Sequence, residues 1–135
     1  MTGYAVALIA VDSLRPSEHV DPGRVAALAD EIVAAGELRQ PILVERESLT
    51  ILDGHHRWHA ARCLGLARIP AIALSYQDPR LTLASWSERS FSPDDVLRAA
   101  ATGQLLPAKS TRHILAPAPG PEPVSLCLLG PTRMP

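Results

Sequence analysis

The chain has two residues, Asp53 and Gly54, in which to leave a strand and enter a helix. Residues 42–45 (Ile-Leu-Val-Glu) and 49–52 (Leu-Thr-Ile-Leu) are short apolar runs carrying β-branched side chains. Pro41 opens the first run, and Glu47-Ser48 is a turn that joins the two as a hairpin. Residues 55–64 then read as a helix, with Ala60, Cys63 and Leu64 as its apolar stripe and Gly65 as its stop. A further apolar run at 69–74 reads as another strand. Hairpin, helix and strand in this order confine the chain to an α/β class: a small mixed sheet flanked by helices.

The rest of the chain fits that frame. Residues 4–11 read as a buried strand and residues 12–20 as a loop containing Leu14-Arg15-Pro16-Ser17-Glu18. Asp21 is an N-cap with Pro22 at the first helical position. Val25, Leu28, Ala29, Ile32 and Val33 recur at helical spacing up to Gly36, which predicts a helix over 22–35. Residues 77–91, including Trp86, are less regular. Ser92-Pro93-Asp94-Asp95 is a helix start with acids at the positive end of the dipole, and that helix runs to 102 before Gly103. From Ala116 the composition shifts to Pro, Ala and Gly. Residues 1–115 therefore form the expected domain, and 116–135 an extended or poorly ordered tail.

With 135 residues, 47% hydrophobic and 20% charged, the chain is expected to build one real core. Its net charge of −1 lacks the basic surplus of a domain that lives on nucleic acid. Cys63 and Cys127 have no CxxC spacing and read as reduced thiols of a cytoplasmic protein. No basic leader precedes the apolar residues near the start, and no run approaches the roughly 18–20 apolar residues of a membrane span. Small-molecule partners are expected, with no nucleic acid and no membrane; the oligomeric state cannot be read.

Asp53-Gly54-His55-His56-Arg57 concentrates chemistry at the strand-to-helix turn. A helix N-terminus offers free N–H groups and positive dipole, and glycine permits close backbone approach. His55, His56 and Arg57 add donors, and Asp53 is a carboxylate that can hold a magnesium ion between phosphates. The competing interpretation is a plain cap with solvated histidines. His55, His59 and Cys63 also share one helix face at i, i+4 and i+8, the spacing of a partial transition-metal site. Lys109-Ser110-Thr111-Arg112-His113 packs two hydroxyls, two cations and a histidine into five residues, suited to carboxylate or phosphate.

The order of these segments, "QPILVE", a hairpin, "LDGHHRWHAARCLG" and "IPAIAL", resembles the ParB/sulfiredoxin superfamily. The resemblance implies a ParB N-terminal domain/sulfiredoxin-like fold. Chromosome-partition members carry a Gly-Glu-Arg-Arg type motif and bind CTP. Sulfiredoxins carry a catalytic cysteine where this chain has His55, which excludes their chemistry. The Asp-Gly-His-His-Arg form is similar to the free L-serine kinases, which make O-phospho-L-serine. That similarity implies ATP or ADP as phosphate donor, with Mg2+. It implies Gly54, His55, His56 and Arg57 at the phosphates, and Asp53 on the metal or assisting the base. Glu18 is implied as general base, with His56 also catalytic. Lys109, Ser110, Thr111, Arg112 and His113 are implied at the substrate serine, and Trp86 in shaping its pocket. The resemblance covers about residues 5–113, but the insertion that precedes the Lys-Ser-Thr motif in those kinases is reduced here. Two alternatives follow: a non-catalytic nucleotide-binding switch of the partition type, or a related kinase with another acceptor.

Overall fold

The computed structural model describes residues 3–85 and 89–130. Its elements are β1 (Ala7–Ala10), a 3-10 turn (Val11–Ser13), α1 (Pro22–Ala35), β2 (Glu37–Leu38), β3 (Ile42–Glu45), β4 (Ile51–Asp53) and α2 (His55–Cys63). There follow β5 (Arg68–Leu74), β6 (Leu81–Ala84), α3 (Pro93–Thr102), β7 (Arg112–Leu115), β8 (Val124–Ser125) and α4 (Leu126–Leu129). Strands β1, β5, β3 and β4 form one sheet in that order. The β3–β5 pair is parallel, and the β1–β5 and β3–β4 pairs are antiparallel. The fold is therefore mixed α/β, as the hairpin–helix–strand pattern requires.

All four β3 residues are buried because the sheet is covered on both faces. Side chains alternate across it. Ile42, Val44, Ile51, Ile69 and Ala71 join a core with Val25 and Ile32 of α1 and Trp58 of α2. Leu43, Leu52, Ile72 and Leu74 face the other way, onto Leu81, Val96 and Leu115. One layer is thus α1 and α2; the opposite layer is α3 with the antiparallel β6–β7 pair.

The helices begin and end where local chemistry places them. Asp21 accepts the Gly23 N–H at the start of α1, and Gly36 ends it with a left-handed φ of 71°. Ser92 and Asp95 form a reciprocal capping box on α3.

Four expectations change. The first strand is shorter and is not buried: β1 is a sheet edge, and Leu8 is 42% exposed. Cys63 is exposed; α2 buries His55, Trp58, Ala60 and Ala61 instead, because Trp58 turns inward to donate its Nε1–H to the Val11 carbonyl at 2.9 Å. Val33 is likewise exposed on α1. Residues after Ala116 are not uniformly extended. β8 pairs with β2, and Leu129 of α4 is fully buried against the α1–α2 core.

Candidate active site

Three distant segments converge on the start of α2. The first is the loop holding Ser17 and Glu18, fixed as an extended segment between two neighbours. Arg15 pairs with Thr50, and Glu18 with Leu106. Its amides and carbonyls are used by Ile51, Leu49 and Leu106, so the loop is as well ordered as a strand.

The second segment is the strand-to-helix turn. Gly54 has a φ of 102°, and a Cβ there would stand 2.4 Å from Ile42 Cγ2. Only glycine fits this backbone and this space. Gly54 also leaves α2 without a side-chain cap, in contrast to α1 and α3. The first-turn amides and the positive dipole are therefore available to an anion.

The third segment is 109–113. Lys109 takes a left-handed φ of 56° and stays exposed, which turns Ser110 and Thr111 inward to buried positions.

Glu18 is the centre of the arrangement and is 6% exposed. Its Oε2 accepts the Thr111 hydroxyl and, at 3.2 Å, the Thr111 backbone N–H. Burial raises its pKa above the ordinary carboxylate value, while Thr111 and the backbone of Lys109 and Ser110 oppose the rise. A carboxyl group held in this way has the raised basicity expected of a general base.

His55 is buried, and its Nε2 accepts the N–H groups of Ser17 at 3.0 Å and Glu18 at 3.3 Å. Burial and the neighbouring His113, His59 and His56 lower its pKa to about 3. The ring is therefore a neutral acceptor, with Nδ1 as its protonated nitrogen. Its side chain fastens the Glu18 loop to α2, so any phosphate contact at this position falls to the helix backbone. His56 is half-buried, accepts the Asp21 N–H at 3.2 Å, and has its pKa lowered by burial and by Arg24 and Lys109.

Arg57 is braced in the opposite direction. It donates to the carbonyls of Gln40 and Pro41 at 3.1 and 2.9 Å and to Asp53 at 3.2 Å. It also edges a cavity of about 580 Å³ lined by Leu28, Ile32, Arg39 and Gln40. Asp53 is half-exposed, and no hydrogen bond or ion pair joins it to Glu18 among the described residues. Its Oδ2 is taken by Arg57, which leaves Oδ1 for a cation. Among the described residues no three His, Cys, Asp or Glu side chains gather at a metal-binding distance. The donor set does not form an all-protein cage but fits a magnesium ion held by one carboxylate and the phosphates of a nucleotide. The His55–His59–Cys63 alternative fails because His55 turns into the protein and Cys63 out of it.

His113 is buried, and its Nε2 lies 2.8 Å from the Tyr76 hydroxyl. Burial lowers its pKa to about 4, against a smaller opposing influence from the Leu52 backbone. Among the described residues, Ser110 Oγ has no hydrogen-bond partner; the His113 ring faces the Leu52 backbone as well as Tyr76. Arg112 is exposed, and Trp86 lies outside the described residues. Neither Ser17 nor Tyr76 is singled out by the sequence. Ser17 adjoins Glu18 and was within reach of a local argument; Tyr76 carries no local signal.

The ParB N-terminal domain model matches residues 3–88 of this chain. An ATP-dependent L-serine kinase of Staphylothermus marinus is 39% identical over 83 residues, covering 58% of this chain and 33% of its own length. A ParB-like protein of Sulfolobus acidocaldarius is 34% identical over 101 residues, covering 73% and 48%. The chain thus spans between a third and a half of these curated relatives. Among solved structures, a free serine kinase in complex with AMP superposes with a TM-score of 0.79 over 93% of each chain. At 16% identity that likeness is one of fold.

Proposed function

We propose that this chain, which belongs to the ParB N-terminal domain family, transfers a phosphoryl group from ATP or ADP to free L-serine, giving O-phospho-L-serine. One observation carries the proposal: a buried carboxylate, Glu18, is tied to Thr111 and, through its loop, to His55 at an uncapped helix start. That arrangement supports reading Glu18 as a base between the hydroxyl-bearing 110–111 segment and the start of α2. The L-serine kinase relatives, ATP-dependent in Staphylothermus marinus and ADP-dependent in Thermococcus kodakarensis, support the same reading.

In this mechanism the first-turn amides of α2 hold the terminal phosphates, with His56 and Lys109 beside them. Asp53 would hold a magnesium ion, which supplies charge neutralisation on the phosphates. Glu18 takes the proton from the serine hydroxyl as that oxygen bonds to the terminal phosphorus, and the bond to the nucleotide's bridging oxygen breaks. Ser110, Thr111 and His113 hold the amino acid. Catalysis is positioning plus charge stabilisation. The compact 78–106 region, shorter than in the kinases it resembles, leaves a close hydroxy amino acid as the variant acceptor.

The ParB-like relative favours a second reading, a nucleotide-binding switch without turnover. Incubation with ATP or ADP, Mg2+ and L-serine, followed by phosphorus NMR, separates the two. O-phospho-L-serine is expected from the wild type, and Glu18→Gln is expected to lose about 10²–10⁴-fold in kcat. Nucleotide binding with no phosphorylated hydroxy amino acid rejects the kinase.

A further inference from the structure

We propose that the Ser17 hydroxyl diverts the Glu18 loop out of a β-ladder, which makes Ser17 the positioning residue that sets the base against the start of α2. The role of Glu18 as base rests on the kinase reading. The diversion rests on hydrogen bonds alone.

The loop enters beside β4 as a paired strand would. Arg15 bridges Thr50 in parallel: its N–H donates to the Leu49 carbonyl at 3.0 Å, and its carbonyl accepts the Ile51 N–H at 2.9 Å. In a continued parallel ladder the next bond runs from the Ser17 N–H to the Ile51 carbonyl. Here the Ser17 hydroxyl donates to that carbonyl in its place, at 3.0 Å. The Ser17 N–H is released and donates to His55 Nε2 at 3.0 Å, and the Glu18 N–H shares the same acceptor at 3.3 Å. The Ser17 carbonyl, which a continued ladder also uses, accepts the Leu106 N–H at 2.8 Å.

Ser17 is 1% exposed, so its polar groups and those they meet need partners inside the protein. A residue without a side-chain donor at this position leaves the Ile51 carbonyl short of a bond. The amide of that same residue is the group the ladder would place there, and drawing it back breaks the bond to His55. Both acceptors are within reach, because the Ser17 oxygen also lies 3.2 Å from His55 Nε2. Ile51 and His55 stand on either side of Asp53 and Gly54 in the chain. Ser17 therefore registers the base on both flanks of the strand-to-helix turn. Phosphoryl transfer depends on such registration, since a misplacement of about 1 Å costs about 10²-fold in rate.

Ser17→Ala removes the hydroxyl and adds no atom. Nitrogen-15 NMR detects a scalar coupling across an N–H···N hydrogen bond. That coupling is expected between the Ser17 amide and His55 Nε2 in the wild type, and is expected to vanish between residue 17 and His55 in Ser17→Ala. The readout needs no turnover. In the assay, Ser17→Ala is expected to lower kcat about 10²-fold, with the KM for nucleotide and for L-serine changed less than about threefold. Ser17→Cys keeps a weak donor and is expected to fall between the two. Ser48→Ala is the control for simple loss of structure. It removes a turn hydroxyl that bonds Glu45 at 2.7 Å in the neighbouring hairpin, and is expected to lower Tm while leaving kcat and the coupling unchanged. A coupling absent from the wild type, or retained in Ser17→Ala, overturns the diversion. Equal losses of kcat in Ser17→Ala and Ser48→Ala overturn the positioning role. A wild type inactive on every hydroxy amino acid removes the base from Glu18 and leaves the coupling to decide the diversion.

Discussion

A buried imidazole that accepts two backbone amides must remain neutral, so His55 ties the stability of the site to pH. Its folded-state pKa is about 3, whereas an exposed histidine titrates near 6.5. Between those values the unfolded chain binds a proton that the folded chain does not. Stability therefore rises with pH across this window, and is lost as pH falls from about 6.5 toward 3. His113, held at about 4, acts in the same direction. His55→Gln keeps an acceptor for the Ser17 and Glu18 amides but removes the titration. Its Tm is expected to fall less steeply than that of the wild type between about pH 7 and about pH 4; an equal slope would remove His55 from this account. His55 stood out in the sequence, but its partners did not. Ser17 and Glu18 lie 38 and 37 positions away, and Glu18 reaches Thr111 across 93 positions. Local residue chemistry nominates such groups without saying which atoms face each other.

At the scale of elements, the strand-to-helix turn is the most constrained feature. Gly54→Ala is expected to cost about 2–4 kcal/mol, combining a left-handed backbone with overpacking against Ile42. The denaturation midpoint measures this, and a loss below about 1 kcal/mol would mean that the turn relaxes. The ends of α1 and α3 were legible because caps, proline and terminal glycine act within a turn of the helix. β6 and β7 were not. Each is four residues long, and β7 begins at the end of the Lys109–His113 motif, where chemistry masked the strand pattern. Their pairing sets His113 opposite Leu83 and brings the acceptor segment to the sheet.

Across the whole molecule, the segment after Ala116 is the test of how the core is closed. Leu129 is fully buried among residues of α1, α2 and β3, although it follows a Pro- and Gly-rich stretch. Leu129→Ala is expected to cost about 2–4 kcal/mol in chemical denaturation. A neutral substitution would show that the last turn is dispensable to the core. Among the described residues, no helix is long and apolar enough to cross a membrane.

The sequence alone determined the hairpin, the helix after Gly54, the capped helices and the mixed α/β class. Each of these rests on periodicity, caps and turns, which act over a few residues. Only the tertiary structure decided that β1 is an exposed edge, that Cys63 faces outward, and that Leu129 seals one core. It likewise turned His55 from a phosphate donor into the fastening of the Glu18 loop. Burial and hydrogen-bond partnership depend on what lies across the sheet, and that information is distributed over the whole chain.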